Sequence, residues 1–154
     1  MRKKSLVTWL LGLLVCVVWL STAYAGDSIY GKVTEVKRSD TVVLDYGEGQ
    51  YDVRLVGVDP PGNADLEKQA QDFVANLVLN KNARLRFEGR RQGQMVGRLQ
   101  TDDPSIGIKD VGVELVRVGL ARRQQDYDYK YGELSAAENE ARRAKRGVWA
   151  APPD

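Results

Sequence analysis

The run Thr41-Val42-Val43-Leu44-Asp45-Tyr46, the reversal Gly47-Glu48-Gly49 and the run Tyr51-Asp52-Val53-Arg54-Leu55-Val56-Gly57 decide the architecture. Val42, Leu44 and Tyr46 fall on one face of an extended chain, as do Tyr51, Val53 and Leu55. Alternation at a period of two around a glycine-rich reversal is the pattern of paired, half-buried strands. Upstream, a β-branched run beginning near Ile29 is divided from this hairpin by the turn pair Ser39-Asp40. Downstream, Asp59-Pro60-Pro61-Gly62-Asn63 ends the strand region, because two prolines cannot continue a ladder.

The period then changes. Leu66, Ala70, Phe73 and Leu77, widened by Val74 and Val78, recur at helical spacing, with Asn63 or Asp65 placed to cap the helix. Ala83, Leu85 and Phe87 alternate with Arg84 and Arg86 in a fourth strand. Gly89 to Gly93 reads as a turn, Met95 to Thr101 as a fifth strand, and Asp102-Asp103-Pro104 as its stop. A second helix is predicted over Asp110 to Val118, ended by Gly119. A third, near Glu133 to Arg146, carries its acidic residues early and its basic ones late, as the helix dipole favours. Five short strands, one helix between the third and fourth, and two helices after them predict an α+β fold with a mainly β core. The expected form is a five-stranded barrel of the oligonucleotide-binding type with three helices.

The first 25 residues read differently. Met1-Arg2-Lys3-Lys4, an apolar run from Leu6 to Leu20 and Ala23-Tyr24-Ala25 have the layout of a secretory signal peptide over residues 1–25. A domain over 26–154 would remain, exported to a periplasm or secreted, with no stable membrane anchor after cleavage and expected to be a monomer. Loss of Arg2, Lys3 and Lys4 takes Lys+Arg from 23 to 20 against 21 Asp+Glu, so the balance turns from +2 to −1. Nucleic-acid binding would then have to rest on local clusters of charge. Residues 26–154 contain neither cysteine nor histidine. Within them that excludes disulfides, thiolate metal sites, histidine bases and serine–histidine triads.

Several motifs, in order along the chain, resemble the thermonuclease family of staphylococcal-nuclease-like domains. Ser39-Asp40-Thr41-Val42 is similar to its Asp-Thr-Val segment, and Val53-Arg54-Leu55-Val56-Gly57-Val58-Asp59-Pro60-Pro61 to its Arg-Leu-x-x-(Val/Ile)-Asp-x-Pro motif. Gly97-Arg98 resembles its Tyr-Gly-Arg, and Leu115-Val116-Arg117-Val118-Gly119-Leu120-Ala121 its Leu-Val-Arg-x-Gly-Leu-Ala helix end. Ala137-x-x-x-Ala141-Arg142 with Lys145-x-Gly147-Val148-Trp149 fits the closing segment. The resemblance implies the same barrel and a Ca²⁺-dependent phosphodiesterase acting on single-stranded DNA or RNA. It places Asp40, Asp59 and the carbonyl of Pro60 on the metal, and Arg54 and Arg98 on the phosphate. Hard oxygen ligands suit Ca²⁺, and forked guanidinium groups suit phosphate.

The chain also departs from that pattern. Gly62 stands where the family carries its catalytic glutamate, so cleavage is expected to be weak, and a nucleic-acid or protein-binding module without turnover is the alternative. Asp65 and Glu67 are the nearby carboxylates that could substitute. Arg38 replaces an aspartate beside the proposed cation, and Val96 replaces a tyrosine before Gly97-Arg98. Taken without the resemblance, Asp40 is a turn aspartate, Asp59 shapes a Pro-Pro turn, and Arg54 and Arg98 are solvated strand arginines. Arg90-Arg91 and Arg122-Arg123 read equally as a phosphate-tracking surface for a single strand and as solubilising charge, and Arg142 to Arg146 as a solvated helix face with Glu138 and Arg142 at i,i+4 spacing. Tyr127, Tyr129 and Tyr131 read as packing ahead of stacking aromatics; Asp128 between the first two is unhelpful to a polyanion, and Trp149 reads as a plug over the core.

Overall fold

The computed structural model describes residues 28–130 and 132–150; the signal-peptide segment and Tyr131 lie outside the described residues. Seven strands run β1 Ser28–Arg38, β2 Thr41–Asp45, β3 Gln50–Leu55, β4 Val58–Asp59, β5 Asn82–Arg91, β6 Gln94–Thr101 and β7 Arg122–Arg123. Helices α1 Ala64–Val78, α2 Val111–Arg117 and α3 Glu133–Arg143 complete the fold, with a 3₁₀ turn at Gly147–Trp149. The expected five-stranded barrel with three helices is what forms. It closes in the order β1-β2-β3-β6-β5, and β4 and β7 make a separate two-stranded ladder.

Closure depends on two features of β1 and β3. β1 pairs with β5 through Ser28 to Lys32 and with β2 from Lys32 onward, and it bends at irregularities near Val33–Glu35 and Val36–Arg38. One strand thus turns the corner between two neighbours, as bulges permit. β3 then meets β6 in parallel, Val53 opposite Met95 and Leu55 opposite Gly97. The interior holds Val33, Val42, Leu44, Val53, Leu85, Met95 and Leu99, all at or near zero exposure. Ala70, Val74 and Val78 of α1, Val111, Leu115 and Val116 of α2, and Leu134, Ala137 and Ala141 of α3 are the buried faces of the helices.

Three boundaries differ from expectation. β5 continues through Gly89 to Arg91, and the reversal occupies only Gln92 and Gly93, both at positive φ (51° and 81°). That is the geometry of a two-residue hairpin, with its first position filled by a glutamine that sends no turn signal. α3 stops at Arg143 because Lys145 takes a left-handed conformation (φ 50°). The amides of Lys145 and Arg146 then bond back to the carbonyls of Arg142 and Ala141, a Schellman ending on a residue other than glycine. The β4–β7 ladder pairs two residues with two from the far side of the chain, too short for any periodicity to announce. Among the described residues no helix is long and apolar enough to cross a membrane.

Candidate active site

The site begins at the turn between β1 and β2. Glu67 of α1 accepts hydrogen bonds from the Ser39 amide (3.0 Å) and hydroxyl (2.7 Å), and Gln71 donates to the Val36 carbonyl (2.8 Å). On the other side the Leu55 amide donates to the Asp40 carbonyl (2.8 Å), tying the turn to the end of β3. Asp40 is therefore fixed, and its carboxylate is only 2 % exposed. The Thr41 hydroxyl donates to Oδ1 at 2.9 Å. Arg54 lies opposite Thr41 in the β2–β3 register, and its Nε stands 3.2 Å from Asp40 Oδ2. The Arg38 Nε lies 3.7 Å from Oδ1, so two guanidinium groups address one buried carboxylate.

Beyond Arg54 a cavity of about 480 Å³ opens between the β5–β6 hairpin and the segment after β7. Arg54, Asp59, Glu88, Val96, Gln124 and Tyr127 contribute to its lining. Gly57, at φ +76°, allows the chain to turn under Tyr127; a Cβ there would sit 2.4 Å from the tyrosine ring. Tyr127 donates to Glu88 (2.6 Å), and burial first, then Glu88, pushes its phenol well above the usual range. Asp59 is exposed at the end of β4, with Pro60 beside it half-buried.

Arg98 is placed otherwise. It stands outside the cavity lining, with its Nε 2.9 Å from Asp110 Oδ2, its Nη2 3.6 Å from Glu133, and its guanidinium 3.5 Å over the Tyr129 ring. Tyr129 meets Tyr127 edge-on at 5.9 Å, so one aromatic pair separates Arg98 from the cavity wall. Burial pushes the Asp110 carboxyl up, and Arg98 offsets this only in part. Asp110 also caps α2 by accepting the Val113 amide (3.2 Å). Sequence reasoning missed this carboxylate because its partner lies across the barrel wall. Removing one partner of a largely buried ion pair costs roughly 3–5 kcal/mol. Arg98→Ala is accordingly expected to lower stability by about 3 kcal/mol in urea unfolding at neutral pH. With Asp110 left unpaired its pKa rises further, so the folded state takes up a proton before the unfolded one. The loss should then shrink as pH falls through that raised pKa towards the ordinary carboxylate value. A loss constant with pH would remove Asp110 as its cause.

The carboxylates downstream of Gly62 divide. Glu67 is engaged by Ser39, and Asp65 is exposed in the first turn of α1, where Asn63 proves to be the cap, accepting the Asp65 (2.8 Å) and Leu66 (3.1 Å) amides. Asp128, a charge unhelpful to a polyanion, builds the start of α3: it accepts the Tyr129 (2.8 Å) and Leu134 (3.2 Å) amides and the Ser135 hydroxyl. Glu138, expected on a solvated face, is buried and accepts the Arg123 amide (3.0 Å) as well as pairing with Arg142.

Residues 52–151 match the family described as Staphylococcal nuclease homologue. An uncharacterized endonuclease of Escherichia coli O157:H7 is 31% identical over 123 residues, covering 79% of this chain and 77% of that one. The thermonuclease of Staphylococcus hyicus is 28% identical over 137 residues, covering 81% of this chain and 78% of its own.

The chain belongs to the staphylococcal nuclease family.

The staphylococcal nuclease match takes in Arg54, Asp59, Gly62, Arg98 and Tyr127, whereas Asp40 precedes it. It is the contact with Arg54 that brings Asp40 to the matched part of the site. The Gly-Arg motif also gains a physical reason. A Cβ on Gly97 would lie 2.2 Å from the Arg86 carbonyl, so β6 approaches β5 at a distance only glycine permits.

Proposed function

We propose that the protein is a phosphodiesterase of weak activity on single-stranded DNA or RNA, working with Ca²⁺. The observation that carries this is Arg54: it lines the cavity, as Asp59 does, and its Nε stands 3.2 Å from the buried Asp40. A guanidinium in that position, on a cavity of nucleotide size, can meet a phosphodiester oxygen through its remaining N–H groups. The endonuclease and thermonuclease names of the two relatives support a nucleic-acid substrate.

Asp40, Asp59 and the Pro60 carbonyl are hard oxygens, which Ca²⁺ accepts in loose geometry with water in the remaining positions. The set fits in kind and is thin in charge. Among the described residues no three carboxylates gather, and Arg38 and Arg54 already attract Asp40. When bound, the ion would polarise the phosphoryl oxygen and favour the leaving group. In the absence of the glutamate, the proton on the attacking water has no positioned acceptor at residue 62. That loss is worth roughly 10²- to 10⁴-fold in rate.

Cleavage of labelled single-stranded DNA and RNA by residues 26–154, with Ca²⁺ and with EDTA, tests this reading. Slow cutting that requires Ca²⁺ and falls by about 10²-fold or more in Arg54→Ala is the expected result. Equal rates for the two proteins would remove Arg54 from the chemistry. Tight binding without any cutting would instead make the protein a module that keeps the pocket and lacks turnover, a reading that Gly62 and the engaged Arg98 favour.

A further inference from the structure

We propose that Arg122 and Arg142, ordered on Trp149, together with Arg143 and Lys145, form a second phosphate-contacting surface for the strand that leaves the Arg54–Asp59 cavity. The proposal rests on the nucleic-acid reading above and extends it to a surface outside the candidate active site.

Position comes first. Asp59, on the cavity wall, is the register partner of Arg122 in the β4–β7 ladder. Directly opposed residues of antiparallel strands project to the same side, so Arg122 stands next to the edge of the cavity. The Glu138 carboxylate accepts the Arg123 amide at 3.0 Å and so fastens β7 to α3. That brings Arg142, one turn after Glu138 on α3, to the same side of the molecule as Arg122.

Order comes next. The Arg122 guanidinium lies 5.0 Å from the Trp149 ring centre and the Arg142 guanidinium 4.1 Å. For Arg122 the aromatic face holds the guanidinium in place without the neutralisation a carboxylate partner brings. Its N–H edge is left to meet phosphate oxygens in pairs. Arg142 is also paired with Glu138 at 3.2 Å and keeps only its remaining N–H groups free.

Charge decides the kind of partner. The nearby Arg117 and Arg146 are matched by Glu114 and Glu140. Among the described residues Arg122, Arg143 and Lys145 have no carboxylate partner, and all three are exposed. Arg122 and Arg142 lie over Trp149, and Arg143 and Lys145 follow Arg142 at the end of α3. The one carboxylate paired within this group, among the described residues, is Glu138, which also accepts a backbone amide. A surplus this local attracts a polyanion even on a chain whose overall balance is close to neutral. Continuity with the cavity selects a nucleic-acid strand.

The test is binding of labelled oligothymidylates of ~4 and ~16 nucleotides, lengths that bracket the site size of this barrel class. Binding is followed by fluorescence anisotropy in EDTA across a salt series. In Arg122→Gln/Arg142→Gln the long oligomer should lose about tenfold or more in affinity, with its salt slope reduced by about 1.4, the value for two single-strand phosphates. The short oligomer should bind as to the unmodified protein. Arg143→Gln, at a residue that touches neither Trp149 nor an ion pair, should weaken the long oligomer with a shift of no more than a few degrees in the thermal melt, the size of a lost helix-dipole contact. Both lengths should weaken in Arg54→Ala. If the double variant and Arg143→Gln keep full affinity and slope while Arg54→Ala loses binding, the second surface is overturned and the nucleic-acid reading stands. If the unmodified protein binds neither length, both fall together.

Discussion

Gly62→Glu is expected to raise Ca²⁺-dependent cleavage by roughly 10²- to 10⁴-fold, the usual contribution of a positioned general base. The substitution is sterically free: a Cβ at Gly62 meets no atom within 4 Å, and this glycine is not among those at positive φ. Residue 62 is exposed and precedes Asn63, the cap of α1, so its backbone is held by a cap that the change leaves intact. Glu67 is bonded twice to Ser39, and Asp65 lies exposed on the first turn of α1. The gain is measured as single-turnover cleavage of a single-stranded oligonucleotide, with Gly62→Gln and Gly62→Glu/Arg54→Ala beside it. Glutamine fills the same space without accepting a proton and should give no gain, and loss of Arg54 should cancel the gain of the glutamate. Equal acceleration by glutamine and glutamate would mean that residue 62 acts through shape or water exclusion instead of as a base.

The second large effect is on stability. Gly119→Ala should lower unfolding free energy by about 3 kcal/mol, from left-handed strain together with overpacking. That corresponds to a fall of roughly 12 °C in melting temperature for a domain of this size. Gly119 sits at φ +76° and ends α2: its amide and that of Leu120 bond back to the carbonyls of Val116 and Leu115. The larger part of the loss comes from elsewhere. A Cβ at Gly119 would lie 2.3 Å from the Arg146 carbonyl, and one at Gly147 would lie 2.0 Å from the Gly119 carbonyl. The Val148 amide donates to that carbonyl at 2.9 Å, so the ends of α2 and α3 meet backbone to backbone. Gly93→Ala is the control, because it has a similar φ of +81° with nothing within 4 Å. Strain alone should cost it about 1 kcal/mol. Equal losses at the two positions would show that the close approach contributes nothing.

Much of this molecule was legible without coordinates. The period-two runs around Gly47-Glu48-Gly49 gave the strands, and the 3.6-residue spacing of Leu66, Ala70, Phe73 and Leu77 gave α1, because alternation and helical recurrence are local properties of which side faces the core. The family motifs were legible for a similar reason. Asp40 and Arg54 are tied to turns and strand faces that short stretches specify.

What the sequence left open depended on residues distant in the chain. Arg98 read as a phosphate ligand, and the fold surrounds it with Asp110, Glu133 and Tyr129 from three later segments. Glu138 read as solvated, and the fold buries it against the Arg123 amide. Arg122 read equally as a phosphate-tracking or a solubilising charge, and the two-residue β4–β7 ladder sets it opposite Asp59. Gly119 read as a helix stop and Gly147 as part of the closing motif, and the close approach of their backbones is a reason for both being glycine. Local pattern determines which elements form and which way each faces, since burial of a face is decided within a few residues. Which charges meet, and where two backbones touch, is settled only when barrel closure brings remote segments together. Those contacts have no sequence period to betray them.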